Sequence, residues 1–192
     1  MLQADGLGKR FGRSWLFRNL SFGVEAGEVL VVRGRNGSGK STLVRILGGL
    51  MQPGEGAVKL DVGDRRRGLS LCLLEQSFYA YLTVAEHMTL AADLRACEPR
   101  TKELLTKVGL ADAAAKTAAQ LSSGMKARLR LALAIQPDPR LLMLDEPGAA
   151  LDEEGKQLVQ DICREQATRG AVILATNEPE EGRLGQRVLQ LG

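Results

Sequence analysis

Cysteine, histidine and long apolar runs are all scarce in this sequence. Its 192 residues include three cysteines, Cys72, Cys97 and Cys163, and a single histidine, His87. The cysteines are widely spaced and form no Cys-x-x-Cys pair or Cys/His cluster, which excludes a disulfide framework and a zinc site. The longest apolar stretches, such as 29–32 and 141–144, fall far below the ~20 residues of a spanning helix, which excludes an integral membrane protein. Excess charge is scarce too. The 26 basic and 23 acidic residues leave +3, too little to argue for nucleic acid, and no nucleic-acid partner is expected. The first residues show no basic start followed by an apolar run. No secretory signal is therefore expected, and a cytoplasmic location is.

What is present is ordinary globular composition, with 44% apolar and 26% charged residues. A chain of this length buries a core without staples. One domain over 1–192 is expected, and collagen, rods and long disordered tails are excluded.

Short β-branched runs alternate with helical patterns. Val29 to Val32 ends at Gly34 and reads as a buried strand. Ser41 to Leu50 carries Leu43, Ile46, Leu47 and Leu50 at helical spacing. An edge strand over 57–62 and a strand over 69–74 follow. Arg65 to Arg67 reads as a solvated turn. Thr83-Val84-Ala85-Glu86 has the form of a capping box. Helices are expected over 102–108 and 122–135, the latter stopped by Pro137 and Pro139. Strand character returns at 141–144, 171–175 and 188–191, with a helix through Leu158 and Ile162 between the first two. The alternation implies a parallel sheet covered on both faces. Residues 1–76 and 136–192 form the expected α/β core, and 77–135 an inserted helical lobe.

Two patterns carry chemistry. Gly34-Arg35-Asn36-Gly37-Ser38-Gly39-Lys40-Ser41 fits G-x-x-x-x-G-K-[ST] at every fixed position, between a strand and a helix. Its glycines let successive N–H groups face phosphate oxygens, and the helix start adds positive potential. Lys40 supplies a charge to the β- and γ-phosphates, and the Ser41 hydroxyl is a ligand for Mg²⁺. The second pattern is the apolar run 141–144 ending in Asp145-Glu146. Ligands gather at the carboxyl ends of parallel strands. Asp145 would approach the Mg²⁺ directly or through water, and Glu146 would polarise a water in line with the γ-phosphate. The other reading of these two acids is a cap on the next helix.

Taken together, these residues resemble the ATP-binding-cassette (ABC) nucleotide-binding domains, nearly end to end. Leu121-Ser122-Ser123-Gly124-Met125 stands where that family has its LSGGQ signature. Gln76 sits where the family has its Q-loop glutamine, and Ala150-Leu151-Asp152 matches its D-loop. Phe11 falls where an aromatic stacks on adenine; Trp15 and Phe17 are nearby alternatives that fit core packing better. The resemblance implies an α/β P-loop NTPase fold of ABC type: a mainly parallel sheet flanked by helices, an antiparallel N-terminal β part and an inserted helical lobe. It implies ATP and Mg²⁺ as ligands. ATP would be bound by Phe11, Gly34, Arg35, Asn36, Gly37, Ser38, Gly39, Lys40, Ser41 and Thr42. The metal would be held by Ser41, Gln76 and Asp145, and Glu146, Gln76 and Asn177 would be catalytic. It further implies a head-to-tail dimer in which residues 121–125 meet the ATP of the facing copy, with Asp152 in the D-loop. An integral membrane permease subunit would be the partner, placing the chain on the inner face of the cell membrane.

Two departures stand out. Ser123 and Met125 replace glycine and glutamine of the signature. Asn177 stands where the family has its switch histidine, and it carries neither a proton nor a positive charge for the γ-phosphate. Slow hydrolysis is therefore expected. His87 reads as a helix-surface residue. Compactness and the stretch 16–22 resemble the exporter subgroup associated with haem handling in cytochrome c maturation. A soluble ABC ATPase such as an iron–sulfur assembly factor, or a weakly hydrolysing nucleotide-gated clamp, are the other readings.

Overall fold

Two antiparallel strands open the chain, β1 (Leu2–Phe11) and β2 (Ser14–Val24). The computed structural model describes residues 1–192. β3 (Val29–Gly34) leads into α1 (Lys40–Leu47), then β4 (Glu55–Leu60) and a one-turn helix, α2 (Arg65–Gly68). β5 (Leu69–Cys72) precedes three helices, α3 (Val84–Arg95), α4 (Thr101–Lys107) and α5 (Ser123–Ile135). β6 (Leu141–Asp145), α6 (Glu153–Ala167), β7 (Ala171–Ala175) and β8 (Arg187–Leu191) complete the order. No helix is long and apolar enough to cross a membrane.

Five strands form one parallel sheet in the order β5-β6-β7-β3-β8. β2-β1-β4 form a separate antiparallel sheet. The expected fold class is the observed one. Strands buried on both faces read as unbroken apolar runs, and Leu141–Leu144 and Ala171–Ala175 are wholly buried. The period of two then splits each run between two cores. Val29, Val31, Leu142, Leu144, Val172 and Leu174 share a cluster with residues of α3, α4, α5 and α6. Leu30, Val32, Leu141, Met143, Ile173 and Ala175 pack with α1 and the small sheet. Truncating such a residue to alanine costs about 2–5 kcal/mol.

Boundaries differ from expectation where a cap decides them. Ser122 and Asp152 are N-caps whose side chains accept from the backbone N–H three residues on. The Thr83–Glu86 capping box is present in both directions. The edge strand ends at Leu60, because it pairs with β1 and not with the large sheet. Arg65–Arg67 is exposed as expected, but coiled into one helical turn capped by Asp64.

Two side chains lie elsewhere than predicted. His87 is buried, 5% exposed, not on the helix surface. The segment before α3 folds back over it: its Nε2 accepts from the Tyr79 N–H at 3.1 Å, and its Nδ1 faces the Thr83 carbonyl at 2.8 Å. The Phe78 ring meets it edge-on at 5.4 Å. Phe17 packs in the core as expected, whereas Trp15 is exposed, with the Arg18 guanidinium 4.5 Å above its ring. Trp15 lies over Gly8 with Arg10 and Arg18 against its ring, so cation–aromatic contacts accompany its partial exposure.

Candidate functional site

The carboxyl ends of β3, β6 and β7 lie side by side, and each delivers functional groups to one cleft. From β3 the chain turns through residues 35–39 into α1. Gly37 and Gly39 have φ of +82° and +102°, which L side chains rarely adopt. A Cβ on Gly39 would also lie 2.6 Å from Leu16. The loop thus needs glycine there for backbone and for space. Lys40, the first residue of α1, is 6% exposed. Its Nζ donates to the Gly34 carbonyl at 2.9 Å and to Asn177 Oδ1 at 3.0 Å, and pairs with Glu146 Oε1 at 3.1 Å.

β6 supplies the two acids. Asp145 closes the strand, 2% exposed, and accepts from Ser41 Oγ at 3.0 Å. Burial pushes its carboxyl above the ordinary range, against the pull of the Ser41 hydrogen bond. Glu146 follows at φ +48°, a left-handed conformation costly for a side-chain-bearing residue. Its N–H still bonds to the Ala175 carbonyl at 2.8 Å, so the turn comes at the sheet edge itself. From this turn the Glu146 carboxylate reaches Lys40. Asn177 follows β7. Its backbone N–H donates to Glu146 Oε2 at 3.3 Å and its Nδ2 to Asn36 Oδ1 at 2.6 Å.

The cleft has a volume of about 690 Å³, within the usual range for small-molecule sites. Phe11, Asn36, Gly37, Gly39, Lys40, Ser41 and Thr42 line it, as do Glu146 and Asn177. Three predicted ATP contacts do not, and neither does the predicted metal ligand Asp145. Gly34 is buried beneath Ser38 and Leu191, Arg35 is exposed outside the lining, and Ser38 tucks its hydroxyl inward without a partner. A glycine turn that opens a helix suits a ligand rich in acceptor oxygens. The Ser41–Asp145 pair offers hard oxygen donors side by side, the set that suits Mg²⁺.

Gln76 stands apart. It lies in the turn after β5, its N–H bonded to the Leu73 carbonyl at 3.1 Å, and Leu74 lines the cleft in its stead. Residues 121–125 are outside the cleft as well. Leu121 is buried, Ser122 and Ser123 are exposed, and the Ser122 hydroxyl accepts from the Met125 N–H at 3.2 Å. Gly124 faces the Ala150 carbonyl, which a Cβ would meet at 3.3 Å. Asp152 accepts from the Gly155 N–H at 2.9 Å and from Arg128 at 3.1 Å. The Gly155 bond leads in holding its carboxyl below the usual range. Leu16, Leu74 and Ala149 complete the lining; they are apolar and carry no local sequence signal.

The family described as ABC transporter matches residues 17–149, a span that contains the glycine turn, the 121–125 tip and both acids. The chain belongs to this ABC transporter family. An uncharacterized ABC transporter ATP-binding protein of Bacillus subtilis is 37% identical over 92% of the chain, which spans 62% of that protein. The cytochrome c biogenesis ATP-binding export protein CcmA of Rhizobium meliloti is 34% identical over 99% of this chain and 97% of its own length. An aliphatic sulfonates import ATP-binding protein of Xanthomonas axonopodis is 36% identical over 100% of this chain and 81% of its own. A solved ATP-binding subunit of an ABC transporter superposes with a TM-score of 0.88 at 27% identity, over 99% of this chain and 85% of that one. Within this frame the glycine turn, Glu146 and Asn177 line one cleft, with Asp145 bonded to Ser41 at its wall, and Ser122 and Ser123 are exposed outside it.

Proposed function

We propose that this ABC cassette hydrolyses ATP and powers export across a membrane through a separate membrane subunit. The observation that carries the reading is the convergence of Lys40, Glu146 and Asn177 beside the Ser41–Asp145 pair. Without nucleotide, Lys40 is held by Gly34, Asn177 and Glu146. Phosphate oxygens replace these acceptors on the ammonium, and Glu146 is thereby freed. It then takes a proton from a water whose oxygen forms a bond to the γ-phosphorus. The bond from that phosphorus to the β–γ bridging oxygen breaks, and the electron pair leaves with ADP. Asn177 Nδ2 donates to a γ-phosphate oxygen, though it supplies no charge. Mg²⁺, held by Ser41 and Asp145, would neutralise charge on the phosphates. Asn177 supports slow turnover, and it also keeps open a second reading, a nucleotide-gated clamp that releases little phosphate.

The exposed Ser122 and Ser123 support a head-to-tail pair, because they lie outside their own cleft and their helix start favours an anion. Likeness to the Rhizobium cytochrome c biogenesis export protein over nearly all of both chains supports export; haem as the cargo rests on the resemblance of the stretch 16–22 alone. Gln76 is proposed to reach the phosphate and metal when that pair closes. The membrane's inner face is the proposed location.

Phosphate release by the parent and by Glu146→Gln tests the chemistry. Loss of about 100-fold or more is expected for removal of a general base, and equal rates would overturn it. Extraction in detergent tests the partner. A complex with an integral membrane protein is expected, whereas a soluble complex with assembly proteins would favour the iron–sulfur alternative.

A further inference from the structure

Glu181 is the most deeply buried acid of the chain, 1% exposed, in a short turn of 3-10 helix after β7. Its Oε2 accepts from the Thr176 hydroxyl at 2.5 Å. The Thr176 oxygen in turn accepts from the Glu178 N–H at 3.0 Å. These two bonds close residues 176–181 into one braced loop, and Asn177 sits within it. The other oxygen, Oε1, has no hydrogen-bond partner. It abuts Gly148, two residues after Glu146, so closely that a Cβ there would come within 2.4 Å. A buried carboxyl oxygen left unpaired is costly.

The position explains the expense. The loop after β6 carries Glu146, and the loop after β7 carries Asn177. They meet in the active cleft through one 3.3 Å bond, from the Asn177 N–H to Glu146 Oε2. Behind the cleft, Glu181 touches both loops: Thr176 on one side and Gly148 on the other. Lys156 on α6 reaches the same loop through Glu178 at 3.4 Å, from the outside. We propose that Glu181 is a positioning residue for ATP hydrolysis, a buried strut that sets the spacing between Glu146 and Asn177. This rests on the reading of Glu146 as the base. Glu181 itself does not line the cleft. Small displacements of reacting groups are expensive: about 1 Å can cost on the order of 100-fold in rate.

The test measures ATP turnover, Mg-ATP affinity and melting temperature for Glu181→Ala, Glu181→Gln and Gly148→Ala in the full chain. Glu181→Ala removes the strut; its turnover is expected to fall about 10- to 100-fold, with nucleotide affinity held within about threefold. Glu181→Gln keeps the acceptor for Thr176 and the volume, and is expected to recover most of the rate. Gly148→Ala leaves Glu181 in place but drives a methyl against Oε1, and is expected to lower turnover as well. The decisive readout is the pair Glu181→Ala with Asn177→Ala. If Glu181 acts through Asn177, the double variant is no slower than Asn177→Ala alone. Multiplying losses, or parent-like turnover in a folded Glu181→Ala, would overturn the proposal. Should Glu181→Ala fail to fold, Gly148→Ala and Glu181→Gln decide, and parent-like turnover in the folded Gly148→Ala overturns it. Glu146→Gln serves as the control. If that variant turns over like the parent, the base assignment has failed; if it is slow while Glu181→Ala is not, only the strut has.

Discussion

Lys40 Nζ stands 3.0 Å from Asn177 Oδ1, so the first residue of α1 and the second residue after β7 form one unit. Together with Glu146 and the Gly34 carbonyl, Asn177 satisfies all the donors of the ammonium. The ammonium is therefore neutralised by the protein's own groups. A triphosphate must offer Lys40 better partners than the three it gives up.

Replacing Lys40 by methionine tests that exchange. The methionine keeps the stem and loses the charge. Charge-assisted hydrogen bonds are worth about 1.5–3 kcal/mol each, so Mg-ATP affinity is expected to fall on the order of 10- to 100-fold. Titration calorimetry measures it. Affinity equal to the parent's would show that the glycine turn alone holds the phosphates.

Asp145 makes a prediction of opposite sign for stability and binding. Its pKa is raised by burial. A carboxyl raised on folding adds stability below its unfolded value, near 3.9, and loses it as pH climbs through the folded one. At neutral pH the ionised group thus weakens the empty fold. Asp145→Asn keeps an acceptor for Ser41 and removes the charge. It is expected to melt higher than the parent at pH 7, with the gain vanishing toward pH ~4, and to bind Mg-ATP more weakly. Melting curves across pH, with and without Mg-ATP, measure both. A variant that melts lower at neutral pH contradicts the sign.

The sequence showed the glycine turn, the strand-borne acids and the two-faced sheet because each is a local pattern. Glycine spacing, a four-residue apolar run and a period of two need no knowledge of neighbours. What stayed hidden depends on contacts between distant segments. His87 looked exposed because nothing in residues 83–88 announces that Phe78 and Tyr79 fold over it. Glu181 sits in the acidic stretch Glu178-Pro179-Glu180-Glu181, and the loop after β6 abuts it at Gly148. Gln76 was placed by resemblance to a strand end, but the strand stops at Cys72 and the intervening turn carries the side chain off the cleft lining.

The buried imidazole of His87 offers a stability test away from the cleft. Its Nε2 is the acceptor for the Tyr79 N–H. Alanine would leave that N–H without its partner and a gap beneath Phe78. A loss of about 1–3 kcal/mol is expected for the unpaired group, visible as a lower urea midpoint. A midpoint equal to the parent's would mean that the 77–82 segment does not hold this packing in solution.

Ser122 separates two roles that one hydroxyl combines. It caps α5 by accepting from the Met125 N–H, and its exposure leaves it free to meet a phosphate from a facing copy. Alanine removes both functions, so a lost dimer in Ser122→Ala has two explanations. Aspartate is the discriminating substitution. It caps a helix as well as serine does, yet it sets a carboxylate against the phosphate of a partner's ATP. Ser122→Ala is expected to cost about 1 kcal/mol of stability, whereas Ser122→Asp is expected to melt like the parent. Both are expected to lose ATP-dependent dimerisation, read by size-exclusion chromatography with light scattering in a Glu146→Gln background that preserves bound ATP. Dimers of Ser122→Asp forming at parent concentrations would place this serine away from the nucleotide, and the head-to-tail arrangement would have to be abandoned.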